Sequence, residues 1–419
     1  MTNGTVLPLI NEPPPAPPLV ASPAPAGFPN PLEVATIITS QGLFEDWDSV
    51  WVQHRWADSS ALFQFSCAER VPIPGLWTLL QFKPGTIVNI TLGGQLAMQN
   101  GIITDRQVSY DANSHGVQLS GRSATWIAAR SSVDIPPGSF DGQTFQQVAE
   151  QVLARYGVGV QVVGTLNSRP YQYLQNEKGE TVWNFLERIA RPRGIVLGSD
   201  YLGNVLLIGD HTNPIIATLT EGVNILRCQC IISIQNLFGV YVASNSTPAS
   251  DDINGTAASE QEASVGGSGP AASNILAPSV IPTRTLDELA EMANNEAIWS
   301  EGTFVQASIT VQGWMVPGTT QLWEAGDDVF VYSPMAILNQ PMKIQTVTFT
   351  QDRSGTKTTL DLVVPWLLRD KVQAAPNTLP APGSATITPE GSSGTSGGTT
   401  PPAPAPEKIV KKIRPLWRR

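Results

Sequence analysis

Cysteine is scarce in this chain of 419 residues, with only Cys67, Cys228 and Cys230. Three thiols cannot build the disulfide framework of a small secreted scaffold. Histidine is equally rare, at His54, His115 and His211. None of them has a His or Cys neighbour at the spacing that a zinc site needs. Cys228 and Cys230 share one face of a strand, but no second pair completes four ligands, so they read as packed strand cysteines. Charge is sparse as well, at 14% of residues, and the balance is acidic, with a net charge of −10. A chain of that sign is not held to nucleic acid by phosphate contacts. No run of about 20 apolar residues is present, so no transmembrane helix or membrane anchor is expected. No basic residue precedes Arg55, and no secretory signal is expected. The pattern fits a protein made in the cytosol that ends up in an assembly.

Catalytic patterns are missing too. Glu45, Asp46 and Asp48, and again Asp327 and Asp328, offer the two carboxylates that glycosidases require. Both groups fall in turns, where acids are ordinarily solvated. Gly266-Gly267-Ser268-Gly269 lacks the Lys-Ser/Thr of a phosphate loop, and no Gly-x-Ser-x-Gly elbow occurs. No catalytic residue, no cofactor site and no metal site is assigned.

What the chain has is turn formers and short β runs. It holds 36 Gly and 35 Pro, a load that fits β structure with many turns plus disordered tails. Ten prolines fall within residues 1–31, which favours extended polyproline II over a buried core. Alternating strands follow at Val34–Thr39, Asp48–Trp56, Ala61–Cys67 and Thr86–Leu92. Gly93-Gly94 makes a hairpin turn into Gln95–Asp105, and Val117–Leu119 leads into Gly121-Arg122-Ser123. The period then changes from 2 to 3.6. Thr144 and Gln147 form a capping box ahead of a face of Phe145, Val148, Ala149, Val152 and Leu153, and Gly157 stops that helix. A second helix begins at Glu180-Thr181, with Val182, Phe185, Leu186, Ile189 and Ala190 on one face, and ends at Pro192. Strands at Val158–Val163, Gly194–Leu197 and Asn204–Ile208 complete a small α/β module.

Residues 244–282 break the pattern with Ser, Ala, Gly, Asn and four acids, and read as a flexible linker. A third helix follows, capped by Thr285 and Glu288, with Leu286, Leu289, Ala290, Ala293 and Ala297 on one face. The strongest β signal lies at Val305–Pro365. Ile309/Val311, Val329/Val331 and Leu360/Leu362/Val364 alternate with period 2. Gly313 precedes Trp314, where the missing Cβ lets a backbone pass close to a large ring. Ala325-Gly326-Asp327 supplies a turn.

Taken in order, Gly313-Trp314, the run Leu322-Trp323-x-x-Gly326-x-x-Val329-x-Val331, and a Gly-Thr-x-Thr-x-Leu-x-Leu strand ending in Pro365 resemble the baseplate hub proteins of Mu-type phage tails. The Gly121-Arg122-Ser123 strand end and the helix from Glu180 to Ala190 resemble the same family. The likeness runs collinearly over about residues 33–366. It implies a hub fold shared with the N-terminal part of type VI secretion VgrG spike proteins. That fold is mainly β with an α/β insertion: two small hub-type β-barrel domains, a small α/β module and disordered tails. The expected division is a Pro-rich arm at 1–32 and a first barrel at 33–125 that returns at about 202–243. The module takes 126–201, the linker 244–282, the second barrel with its leading helix 283–366, and the tail 367–419. Gly121, Arg122, Ser123, Gly313, Trp314, Trp323 and Gly326 stand as structural motif residues. Arg122 either bridges a strand end and a turn or pairs with a carboxylate across a subunit boundary.

The resemblance also implies a function. The chain is expected to form a homotrimeric ring in the virion's tail baseplate, made in the host cytoplasm. That ring joins the tail tube, or a tube-terminating protein, to the central spike. It contacts other baseplate proteins and leaves a channel for the tape-measure protein and DNA during genome ejection. The alternatives are a tail-tip cell-wall hydrolase and a carbohydrate-binding tail component that stacks sugars on tryptophan. Residues 407–419 carry six basic side chains against one acid, with Ile413, Arg414, Leu416 and Trp417 as the expected partner-docking residues.

Overall fold

The computed structural model describes residues 33–68, 82–111, 115–136, 138–172, 174–245, 261–271, 275–276 and 286–370. The N-terminal arm and Ile413, Arg414, Leu416 and Trp417 lie outside the described residues.

The chain opens with seven strands: β1 (Ala35–Thr39), β2 (Gly42–Phe44), β3 (Ser49–Arg55), β4 (Leu62–Ala68), β5 (Ile87–Leu92), β6 (Gln95–Tyr110) and β7 (His115–Arg122). They pair antiparallel in the order β3-β4-β7-β6-β5-β1-β2. Period-2 burial follows the sequence: Val50 and Val52 on β3 face Phe63 and Phe65 on β4, and all four are buried.

Helices α1 (Thr125–Arg130), α2 (Phe145–Ala154) and α3 (Val182–Ala190) then build the α/β module with β8 (Val160–Val163), β9 (Val196–Ser199) and β10 (Val205–Ile208). Thr144 accepts the Gln147 amide while the Gln147 side chain accepts the Thr144 amide, the expected capping box. Strand β10 lies between β8, which it meets parallel, and β9, which it meets antiparallel. Both faces of this sheet are covered, so β9 and β10 are buried throughout. Leu197, Val205 and Leu207 face the helices. Val196, Leu206 and Ile208 face Trp56 and Ala57 at the end of β3.

The second β region contains β11 (Ile215–Thr220), β12 (Arg227–Ile232), β16 (Val305–Gln312), β17 (Asp328–Ser333), β18 (Leu338–Asp352) and β19 (Gly355–Val363). Between them come β13 (Val240–Asn245), β14 (Gln261–Gly266), β15 (Ile275–Leu276) and helix α4 (Leu286–Gly302). The alternating residues Ile309, Val311, Val329, Val331, Leu360, Leu362 and Val364 are all buried, as the sequence pattern requires.

Strand β18 joins the two β regions. Its first part, Leu338 to Lys343, pairs with β17; its later part, Thr346 to Gln351, pairs with β3. A register shift between Ile344 and Thr346 lies at the change of partner, and the Trp56 amide donates to the Gln345 carbonyl there at 2.8 Å. A bulge bends a strand and re-aims its bonds, so one long strand serves both regions. The result is a single sheet of thirteen strands among the described residues.

Three expectations are corrected. First, residues 202–243 do not complete the first β region. Strand β10 belongs to the module, β11 pairs with β17, and β12 pairs with β16. The strand alternation at 215–232 gave no partner, and the free sides of β16 and β17 supplied one. Second, part of the 244–282 linker is ordered structure. Strands β14 and β15 flank β13, and α4 packs on them through Ala243, Leu289 and Ala293. Small residues bury little area each but let a helix approach closely, which composition alone reads as looseness. Third, α4 runs on to Gly302, and Ala290 is exposed, whereas Leu289, Ala293 and Ala297 of the expected face are buried. Helix α1 had no counterpart in the sequence reading.

Candidate functional site: a buried junction and a free sheet edge

The elements meet at a point that the sequence did not single out. Lys343 lies on β18 just before the bulge and is fully buried. Its ammonium donates to Asp328 Oδ1 at 3.2 Å and to Asp370 Oδ2 at 2.6 Å, and both aspartates have fully buried side chains. His211, on the segment leaving the module, places Nε2 3.5 Å from Asp370 Oδ2. Its Nδ1 lies 2.9 Å from the Gly209 carbonyl. A carbonyl only accepts, so Nδ1 carries the proton and Nε2 is the bare nitrogen of a neutral ring. Burial lowers the His211 pKa first of all, and the Lys343 charge lowers it further, in keeping with that neutral form. Burial pushes the Asp328 carboxyl up to about 7, against the opposing pull of Lys343. Asp327 and Glu324, in the turn beside it, are also raised, mainly by burial.

Trp56 roofs this cluster. Its ring centroid is 6.0 Å from Lys343 Nζ and 6.5 Å from the His211 ring. Gly326 sits against that ring with φ +100°, and a Cβ there would run into Trp56. Trp56 therefore supplies the close approach to a large ring that the sequence reading assigned to Gly313. Gly313 itself has open space around its Cβ position and is needed for its φ of +76°. Next to Asp370, Arg369 donates to Asn295 Oδ1 on α4 at 2.5 Å, and Asn295 donates to the Pro192 carbonyl at 3.1 Å. The Glu296–Arg191 pair at 3.4 Å and the Glu291–Arg169 pair at 3.7 Å tie α4 to the module from outside.

The other motif residues act elsewhere. A Cβ on Gly121 would meet Phe63 and the Ile102 carbonyl. Ser123 Oγ accepts the Ala61 amide at 3.0 Å and lies 2.9 Å from Thr125 Oγ1, which donates to the Ser59 carbonyl. This buried hydroxyl pair ties the end of β7 to the first turn of α1. Arg122 reaches Ser60 Oγ, in the turn before β4, at 3.4 Å. Trp314 and Trp323 are buried in the core of the large sheet, and Trp314 Nε1 donates to the Thr350 carbonyl at 3.3 Å. The motif residues are thus spread over separate places, and only Gly326 belongs to the junction.

The signals for the rest of the junction were faint. Lys343 is a lone cation between Met342 and Ile344 in an apolar strand, an unpaired charge where core is expected. Asp328 was read as a solvated turn acid, yet it is the first residue of β17. Asp370 lies past the last recognisable motif. Among the described residues no group of three or more His, Cys, Asp or Glu is arranged to hold a metal ion. No described helix is long and apolar enough to cross a membrane.

Among the described residues, strand β12 is the edge of the sheet beyond β16. Val223, Leu226, Ile231, Ile232 and Ile234, on it and beside it, are exposed. Cys228 is exposed and Cys230 half-buried, and burial raises both thiols above their usual pKa.

The chain, mainly β with an inserted α/β module, is similar in fold to phage tail proteins. Residues 125–209 match the family described as baseplate hub protein gp44-like, second domain. The baseplate hub protein gp44 of Escherichia phage Mu is 25% identical over 201 residues, which is 48% of this chain and 52% of that protein. The chain thus spans about half the length of this curated relative in the match. Among solved structures, the 43 kDa tail protein of prophage MuSo2 from Shewanella oneidensis aligns over 81% of this chain and 100% of its own. That alignment has a TM-score of 0.70 and 24% identity. A tail protein from Neisseria meningitidis gives 0.67 at 19% identity, over 80% and 98% of the two chains. A Francisella PdpA–VgrG complex gives 0.50 at 9%, over 81% and 59%. The resemblance to Mu-type baseplate hub proteins, and the fold shared with VgrG, hold in the folded chain.

Proposed function

We propose that this chain is the structural hub of a phage tail baseplate. It works as a homotrimeric ring that joins the tail tube to the central spike and leaves a channel for tape-measure protein and DNA. The observation that carries this reading is the gp44-like second domain at 125–209, set into a sheet whose two regions share strand β18. Two β regions per subunit give six units in a trimer, the number needed to seat a three-fold spike on a six-fold tube. The free apolar edge at β12 supports assembly, because an unpaired strand edge with exposed Ile231 and Ile232 takes a neighbouring strand readily. The occupant proposed for it is a second copy of this chain. The acidic net charge suits a conduit, since like charge keeps DNA from adhering.

The chain is read as a non-enzyme. Trp314 and Trp323 are buried and present no face to a sugar, which takes these two tryptophans from the sugar-stacking alternative. The test is a phage lacking this gene, complemented by wild type or by an Ile231→Lys variant. Wild type should restore tails with three copies per baseplate, and the variant should leave folded protein that does not enter baseplates. Tails of normal form without the protein, or a lytic band from it in zymography, would overturn the reading.

A further inference from the structure

The buried junction holds more negative charge than its one lysine balances. Lys343 binds Asp328 through Oδ1 and Asp370 through Oδ2. The remaining oxygens, Asp328 Oδ2 and Asp370 Oδ1, are both buried and have no hydrogen-bond partner. His211 Nε2, also buried, has none either. Two carboxylates on one ammonium leave a net charge of about −1 among side chains that are fully buried from bulk solvent, which is strongly unfavourable. Two acceptors cannot satisfy each other, but one proton between them turns the first into a donor and neutralises the excess charge.

We infer that Asp328 and Asp370 form a proton-binding site, in which a single proton on Asp328 is shared with Asp370 and latches the end of the described chain onto the sheet. The proton has few other places to go. His211 already donates from Nδ1 to Gly209, and burial and the Lys343 charge oppose a second proton on Nε2, against the pull of Asp370 at 3.5 Å. The charged and titratable groups around the site are Lys343 on β18, Asp327 and Glu324 in the turn before β17, Asp210 and His211 on the module exit, and Arg369 next to Asp370. Arg369 is turned to Asn295. The raised position of Asp328 agrees with the geometry.

The latch has a mechanical consequence. The His211 amide donates to the Arg369 carbonyl and the Asp370 amide to the Pro365 carbonyl. The site therefore pins the module exit and the chain after β19 to β17 and β18 together. Losing the proton places an uncompensated charge in that joint and loosens it.

The sign follows from linkage. A carboxyl whose folded pKa lies above its unfolded value favours folding most at low pH. That contribution is lost as pH rises from the unfolded value near 3.8 to the folded value of about 7, and it is constant above. Between those limits, wild type should release about one more proton on unfolding than Asp328→Asn. The asparagine supplies a permanent N–H donor in the same shape. The experiment is calorimetric unfolding of the full chain at pH 6 in buffers of different ionisation enthalpy, for wild type, Asp328→Asn, Asp370→Asn and His211→Gln. Either Asn variant should abolish the extra proton, and the melting temperature of Asp328→Asn should gain on wild type as pH rises from 5 to 8. Equal proton release in wild type and Asp328→Asn would overturn the inference. So would loss of the extra proton in His211→Gln alone. Should both Asn variants fail to fold, the infrared carbonyl band of a protonated carboxylic acid in wild type decides the matter. Its presence at pH 6 and loss at pH 9 supports the site, and its absence at pH 6 refutes it.

Discussion

Two joints hold this chain together, and they are built from opposite materials. The joint around Lys343 is polar and buried, with a lysine, two aspartates and an imidazole packed under Trp56. The joint between α4 and β13–β15 is made of small residues. Ala243, Leu289 and Ala293 form its core, and Gly267 and Gly269 lie against Phe238 and Tyr241 so closely that a Cβ would collide. An ionic joint is directional and fails abruptly when one partner is lost, because the other charges stay buried. A small-residue joint depends on distance alone and fails by overpacking. The first joint fixes angles between the sheet and the module. The second fixes how near α4 can come to the sheet it covers.

The comparison breaks most sharply at Lys343. Lys343→Met leaves two carboxylates facing each other and should cost about 3–5 kcal/mol in denaturant unfolding. A loss under about 1 kcal/mol would mean that the joint is wet. Next comes Gly326→Val, which forces a β-branched residue into a left-handed φ and into Trp56. About 2 kcal/mol or more is expected, read as a fall in melting temperature with quenched or shifted Trp fluorescence. At the other joint, Gly267→Ala should cost about 1–3 kcal/mol by overpacking, with no dependence on pH. A neutral result there would restore the flexible linker reading for 261–271. The smallest effect belongs to Arg188, whose guanidinium holds the Glu180 carboxyl at 2.8 Å and lowers its pKa. Arg188→Ala should cost under about 1 kcal/mol. Because the folded Glu180 pKa is depressed, that contribution is present above the unfolded value and fades as pH falls, opposite in sign to Asp328.

The sequence made the ladders legible and the joints illegible. Val329/Val331 and Leu360/Leu362 alternate because one face of each strand is buried, and that is a local property of the chain. The capping box at Thr144 and Gln147 is local in the same way. Which strand pairs with which is not local. Nothing in Ile215–Thr220 names β17 as its partner, and the bulge at Gln345 that lets β18 serve two regions has no sequence mark. The Lys343 joint gathers residues 211, 328, 343 and 370, whose sequence separations carry no period. The Gly-rich stretch at 266–269 was misread for a related reason. Glycine means freedom in a linker and close approach in a packed joint, and only the neighbours distinguish the two. Of the motif residues, Gly326 and Ser123 lie at contacts between elements, whereas Trp314 and Trp323 are core.

Beyond both joints, strand β12 ends the sheet among the described residues, and the proposed assembly rests on what that edge does. The most direct measurement is the molar mass of the full chain in solution by light scattering at micromolar concentration, alone and with a candidate central spike protein of the same phage added. Three copies per particle are predicted, falling to one in Ile231→Lys with its melting temperature unchanged. A monomer for wild type under both conditions would contradict the hub assignment.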